Sequence, residues 1–437
     1  MIARRVARVV VFLAVVVALV WGASLPPAEE AAAPSGTTVT VTPARQDSAC
    51  TGELVTPAGG TGSDPELGGA ATGVTRAMFL GGGARDVGGG KASDAVVGAQ
   101  VERVGGGDIS GLAALTCTAP RTDQWVVAGA TTVGSSARLV LTNTSGASVE
   151  STVTAYGELG ELESRTVAIG PDAQQEVLLE GVVVDVAALA LHITATGTGV
   201  VAALQDSRLD GFQPAGTDWG TSSAVGTELA IPGVGTDGSA DQTAVVRLVA
   251  PDGATARLGL STPDGAQLWE GVASLDLEPG VVVELPVPAV DVGTITISST
   301  SEVVASALVT RTRPATAGVE GDTARETRWI PAQFASDDNE RAAVAVGYDE
   351  RVVVYAASAG TFTLVDGDGA TVATASVKAG DTAVLPLDVA PGTVLTAEGA
   401  FAWTVLVDDG AYVTAAAPTR TTVDDLDVEV QQRRYVP

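Results

Sequence analysis

Histidine, lysine and cysteine are nearly missing from this sequence, and each shortage removes a class of function. His192 is the sole histidine, so a zinc site built on imidazoles lacks ligands and a Ser–His–Asp constellation has one place to form. Lysine occurs only at Lys91 and Lys378, and 24 basic residues face 52 acidic ones, for a formal charge of −28. Nucleic acid and anionic headgroups are bound by clustered Lys and Arg, so this surface repels both. It keeps an exported chain soluble, or gathers cations and basic partners. The serines form no G-x-S-x-G elbow and no S-x-x-K. The glycine-rich stretch 81–90, although it ends at Lys91, lacks the spacing of a phosphate loop. No catalytic residue, cofactor or metal centre is expected. Aromatics make up only 4% of the chain, too few for the stacking platforms a glycan cleft normally carries. Past residue 26 no sustained 3.6-residue period occurs, which excludes a helical domain.

What is present is Val, Thr, Ala and 52 glycines, the material of many short strands and turns. The N-terminus opens with Arg4, Arg5 and Arg8 before an apolar run from Val9 to Trp21. Residues 1–25 therefore predict a signal peptide or an uncleaved signal-anchor helix, with the remainder outside the cytoplasm. Cys50 and Cys117 suit that compartment and are expected to form a disulfide, worth roughly 4 kcal/mol in the chain-entropy model. Residues 26–48, rich in Pro, Ala and Thr, predict a stalk of roughly 75 Å if extended. Residues 49–124 form a glycine-rich region closed by the disulfide, in which GGGARDVGGGK (81–91) is expected to be unable to form regular strands.

From Trp125 the pattern repeats three times. An apolar strand opens each unit: RLVLTNTSG (138–146), VRLVAPDG (246–253) and VVVYAASAG (352–360). A closing strand recurs as VVAALQD (200–206), VVASALVT (303–310) and FAWTVLVDD (401–409). About seven short apolar runs per unit of roughly 100 residues predict an all-β fold of tandem immunoglobulin-like β-sandwich repeats. The units span 125–218, 219–328 and 329–422, with a tail at 423–437. The alternative is a single β-propeller-like assembly.

Candidate residues each carry two readings. His192 is a base or ligand, or a solvated histidine on the strand face opposite Leu189, Leu191 and Ile193. Asp206, Asp210, Asp218, Asp408 and Asp409 are the candidates for a paired-carboxylate glycosidase, or turn residues in solvent. The DGDG stretch 366–369 resembles the start of a calcium loop, yet also fits a hairpin turn. Asn143-Thr144-Ser145 is an N-x-[ST] acceptor or a turn. Trp125, Trp219 and Trp329, one near each unit boundary, are ligand-contact residues or inter-domain packing.

The cysteine pair followed by CTAPRTDQWVVAG (117–129), RLVLTNTSGASVESTVTAYGELGEL (138–162) and VVAALQDSRLDGFQPAGTDW (200–219) resemble an uncharacterised family of exported β-rich proteins of high-GC Gram-positive bacteria. The resemblance implies an envelope location and names no activity. The function expected is a non-enzymatic cell-envelope scaffold or partner-binding module. Alternatives are a module binding cell-wall or capsular polysaccharide, and a carboxylate-based glycosidase. The expected partner is an envelope protein or cell-wall glycan, with no nucleic acid and membrane contact only through the N-terminal segment.

Overall fold

The computed structural model describes residues 36–41, 47–56, 74–80, 84–93, 97–106, 109–315, 321–335, 341–420 and 426–431. The export segment 1–25, most of the stalk, the acidic stretch DDNE (337–340) and the first three residues of the acidic stretch VDDLDVE (423–429) lie outside the described residues. Among those described the fold is all-β, and its one helical turn is a 3-10 turn at Leu179–Gly181. No described helix is long and apolar enough to cross a membrane. Two bodies are distinguished, residues 45–422 and the two chain ends. In the latter, Gly36–Val41 pairs antiparallel with Leu426–Gln431.

In the first repeat, alternation does what period-2 patterning dictates. Along Val149–Gly157, Val149, Ser151, Val153 and Ala155 turn inward while Glu150, Thr152 and Thr154 turn outward. Eight strands form one sheet whose outermost members are Gly160–Ile169 and Ala173–Leu178. Those two are consecutive in the chain, joined by only Gly170, Pro171 and Asp172, so the sheet must roll until its edges meet. Rolling brings the two edges together at this turn, without pairing them, and encloses a core of Leu139, Leu141, Leu189, Leu191, Ile193 and Leu204.

The second repeat is organised by one 25-residue strand, Val290–Pro314, which pairs with Val225–Thr236, Gln242–Val249, Ala254–Thr262 and Thr323–Pro331. In the third, a five-stranded and a four-stranded sheet close over Phe362, Leu364, Trp403 and Val405. The strands thus gather in large sheets over three aliphatic cores, sandwich-like in build, and not in the four-stranded blades of a propeller.

Each central strand is buried on both faces over much of its length, and its outer face shows what covers it. Leu139 and Leu141 of Ser135–Asn143 enter the first core, while Val140 packs with Cys50, Cys117 and Trp219. Val246 and Leu248 of Gln242–Val249 enter the second core, while Val249 meets Trp125 of the first repeat. Val352 and Val354 of Asp349–Tyr355 enter the third core, while Val353 joins the second. So each repeat leans its outer face on the region before it. The strand Gly111–Cys117 closes the series: Leu112 and Ala114 pack into the third core, Ala113 and Leu115 against the first repeat.

The glycine-rich 81–91 segment differs from expectation. Short strands Ala84–Val87 and Gly90–Ser93 flank a turn at Gly88 and Gly89, both at positive φ, and Gly90–Ser93 pairs with Ser48–Cys50. Glycine is needed here for close approach: a Cβ on Gly90 would stand 2.3 Å from the Cys50 carbonyl oxygen. Cys50 and Cys117 are joined in a disulfide, both fully buried.

Candidate functional site

The sequence phrases LQDS, TDW and TRWIPA meet in one place. On the strands Val201–Asp210 and Gln213–Ser223, Asp206 lies directly opposite Asp218. Side chains so paired share a face of the sheet. Between the two carboxyls sits Trp329, brought in by Thr323–Pro331. Its backbone N–H donates to Asp218 Oδ2 at 2.8 Å and its indole Nε1–H to Asp206 Oδ2 at 2.9 Å. Thr414 of the third repeat donates to Asp218 Oδ1 at 3.0 Å, and Arg208 pairs with Asp206 at 2.9 Å. Both carboxyls are buried, 0% and 1% exposed. Burial pushes the Asp218 carboxyl well above the usual carboxylate range, against its hydrogen bonds from Trp329, Trp219 and Thr414.

A second charged cluster adjoins it. Arg313 and Glu326 form a buried ion pair at 2.6 Å; Glu326 also accepts from the Leu112 N–H, and Arg313 donates to Ser110 and stacks on Tyr412 at 4.2 Å. Desolvation raises the Glu326 carboxyl to about 8, more than Arg313 draws it down. The strand carrying Leu112 thereby joins the second and third repeats.

Two arginines missed by sequence reasoning do similar work. Arg138 and Arg247 stand on their opening strands in the phrase Arg-Leu-Val and Arg351 in Arg-Val-Val; opposite them on the closing strands are Gln205, Ser306 and Leu406. Arg138 and Arg351 thus share a register, while Arg247 stands two residues further along, where the other repeats have Val140 and Val353. Arg247 is buried and reaches into the first repeat, donating to the carbonyls of Gly129 (2.7 Å), Leu189 (2.9 Å) and Ala187 (3.3 Å). It also pairs with Glu284 and lies 5.0 Å over the Trp329 ring. Arg138 pairs with Glu176 and Gln205 and donates to the Glu53 carbonyl of the N-terminal region. The Arg138 hydrogen bonds hold the Glu176 carboxyl below its ordinary range. An arginine within each otherwise apolar opening strand was the available signal.

The sequence candidates divide as follows. Trp125 is buried between the first two repeats with Val249, Val282 and Val304. Trp219 packs beside the disulfide, and Trp329 between the carboxyls and the first core. Trp219 and Trp329 lie on strands hydrogen-bonded to the first and second repeats, whereas the sequence division begins new units at them. His192 stands opposite Trp125 across the strands and stacks on it at 4.6 Å, with Nε2 3.1 Å from Asp123 Oδ1. It is therefore a packed, half-buried ring and not simply a solvated one. Ser223 flanks Trp125 on the other side, two strand spacings or about 9.6 Å from His192, too far for proton transfer.

Asp210, Asp408 and Asp409 are not brought to the Asp206–Asp218 pair. Asp408 pairs with Arg311, Asp409 with Arg103 and Asp210 with Arg325. Asp366 folds the DGDG stretch into a hairpin turn, accepting from the Asp368 and Ala370 amides. Asn143 is fully buried and ties Ala147 to Gly170, a turn-holding role. Among the described residues no three His, Cys, Asp or Glu side chains gather to hold a metal. A crevice of about 90 Å³ beside the cluster is lined by Trp219, Trp329, Arg121, Gln333 and Phe334, without a carboxylate. Small-molecule sites are usually about 300–1,000 Å³.

The family model for a family of unknown function, DUF5719, matches residues 70–426. The chain belongs to this family. The DUF5719 match takes in all three repeats, both carboxylate clusters and Cys117, while Cys50 precedes it. No curated protein and no solved structure matches the chain.

Proposed function

We propose that this DUF5719 protein is a non-enzymatic, extracytoplasmic cell-envelope scaffold or partner-binding module of a high-GC Gram-positive bacterium. One observation carries the reading: the groups that chemistry would need are engaged in packing within the repeats and between them. Asp206 and Asp218 hold Trp329, Glu326 holds Arg313, His192 is stacked on Trp125, and both thiols are in a disulfide. The disulfide supports an oxidising compartment, and the Arg-led N-terminal segment supports delivery through a membrane. A glycan-binding module would need exposed aromatic faces, whereas Trp125, Trp219 and Trp329 are 4%, 2% and 2% exposed.

Incubating the purified protein with cell-wall and capsular glycans tests the reading directly. No hydrolysis and no retention on immobilised glycan are expected. Turnover that disappears in Asp206→Asn or Asp218→Asn, with the fold kept, would overturn it. Location is checked by protease and a membrane-impermeant thiol label on intact cells. The expected result is cleavage from outside, with labelling only after reduction.

A further inference from the structure

Eight large apolar side chains are exposed among the described residues, and five of them stand at one end of the first repeat. Strand directions fix this. Asp123–Val126, Val149–Gly157, Ala173–Leu178 and Val201–Asp210 all finish at the same end of the rolled sheet, as their antiparallel registers require. The loops leaving them carry Val133, Leu159, Leu178, Val184 and Phe212. Val133, Leu159, Val184 and Phe212 are 81%, 92%, 78% and 61% exposed.

These loops are tied to one another by hydrogen bonds. The Asp185 N–H donates to the Thr131 carbonyl at 3.3 Å and the Val186 N–H to Thr131 Oγ1 at 3.1 Å. Glu158, beside Leu159, accepts from the Ala187 N–H at 3.1 Å. The Leu209 N–H donates to the Gly134 carbonyl at 2.7 Å, which sets the Phe212 turn beside Val133. Val133, Leu159, Val184 and Phe212 are thus four apolar tips on a braced frame. Exposed apolar groups clustered at one place mark an interaction surface, where scattered ones do not.

The charges between the tips are acidic: Glu158, Asp185 and Asp210, with Glu180 behind them. Arg325, the basic neighbour, stands 3.8 Å from Asp210. An acidic frame within a chain of charge −28 disfavours anionic lipid and favours a basic partner. We propose that this end of the first repeat docks a partner protein whose surface offers an apolar hollow flanked by Lys or Arg. The proposal rests on the partner-binding reading above and names the surface that reading leaves open.

A photo-crosslinking residue in the full-length protein tests it in producing cells. It is placed in turn at Leu159, at Phe212, and at Leu268, an exposed leucine of the second repeat 78% accessible to solvent. The expected result is one protein adduct from Leu159 and Phe212, at least fivefold above Leu268. Its linked peptide should come from a different chain and contain Lys or Arg.

Neutralising the frame with Glu158→Gln, Asp185→Asn and Asp210→Asn should cut the Phe212 adduct at least fivefold, with the melting temperature within a few degrees. Asn suits position 185 because Asp185 has φ +62°. Raised salt on the unaltered chain should give a similar loss. Adducts to lipid or to a second copy, or an adduct indifferent to charge and salt, overturn the proposal. Adducts from Leu268 alone overturn this surface and spare the partner-binding reading. No adduct from any site sinks both.

Discussion

Arg247 and Arg351 both face out of the core from the opening strand of successive repeats, two residues apart in register, yet one is buried among three carbonyls of a neighbour and the other is exposed. The strands around them are paired alike, each between a closing strand and a return strand. What differs is coverage. The outer face of the second repeat carries the first at Arg247; the third meets the second at Val353, the register counterpart of Arg247, and leaves Arg351 outside. An outward-facing arginine on this strand therefore does not have a fixed energetic role. Its role is set by which body lies against it.

The comparison is broken most severely by Arg247→Ala. The substitution strands the carbonyls of Gly129, Leu189 and Ala187 and leaves Glu284 without its partner. Removing one member of a buried pair costs about 3–5 kcal/mol, and Glu284, being 34% exposed, rehydrates and brings the loss toward about 3. Urea or thermal unfolding measures it. A loss below 1 kcal/mol would mean that Arg247 does not hold the two repeats together. Arg138→Ala should cost about 2 kcal/mol, because Glu176 is 48% exposed and recovers more of its hydration.

How far these effects were legible in the sequence depends on which neighbour sets them. Leu189, Leu191 and Ile193 were assigned to one buried face by alternation alone, and they fill the first core. Strand patterning is local, so period 2 carries it. Which body covers a strand's second face is not local. Val140, Val249 and Val353 read as surplus apolar residues until a neighbouring body is set against each. The phrases LQDS and TDW stood out as distinctive, but an aspartate in a strand reads as solvated until the opposite strand and Trp329 are in place. His192 is similar: its solvated reading follows from Ala190 and Thr194 beside it, and its stack comes from Trp125 on another strand. Glycine at 88–90 reads as a strand breaker, whereas positive φ at Gly88 and Gly89 and the Cys50 backbone beside Gly90 demand it.

Buried charge between bodies also makes stability depend on pH, which sharpens the contrast with the exposed third-repeat position. Glu326 is raised by desolvation to about 8 in the folded protein, from about 4.5 when unfolded. The folded state therefore holds the proton more tightly. The stability this confers is full below about pH 4.5 and is lost as pH rises toward 8. Asp218 shifts in the same direction for the same first cause. Glu326→Gln keeps the shape and removes the titration. Its melting temperature relative to the unaltered protein should rise by several degrees between pH 5 and pH 8. A constant difference would show that Glu326 is charged throughout and that Arg313 prevails over desolvation.

Arg351→Ala should give the smallest effect. Arg351 is exposed, and its charge works against Arg328, a buried guanidinium already drawn down to about 10, first by desolvation and next by Arg351 itself. Removing Arg351 relieves that repulsion while giving up side-chain packing over the sheet. The two oppose each other, so the net change should stay within about 0.5 kcal/mol, the usual range for surface substitutions. The same change costs about 3 kcal/mol at Arg247, and the difference follows the neighbouring body that covers one outward-facing arginine and not the other. A loss above 1 kcal/mol at Arg351 would mean that a further surface covers the third repeat in solution, and analytical ultracentrifugation would then show the protein as an oligomer.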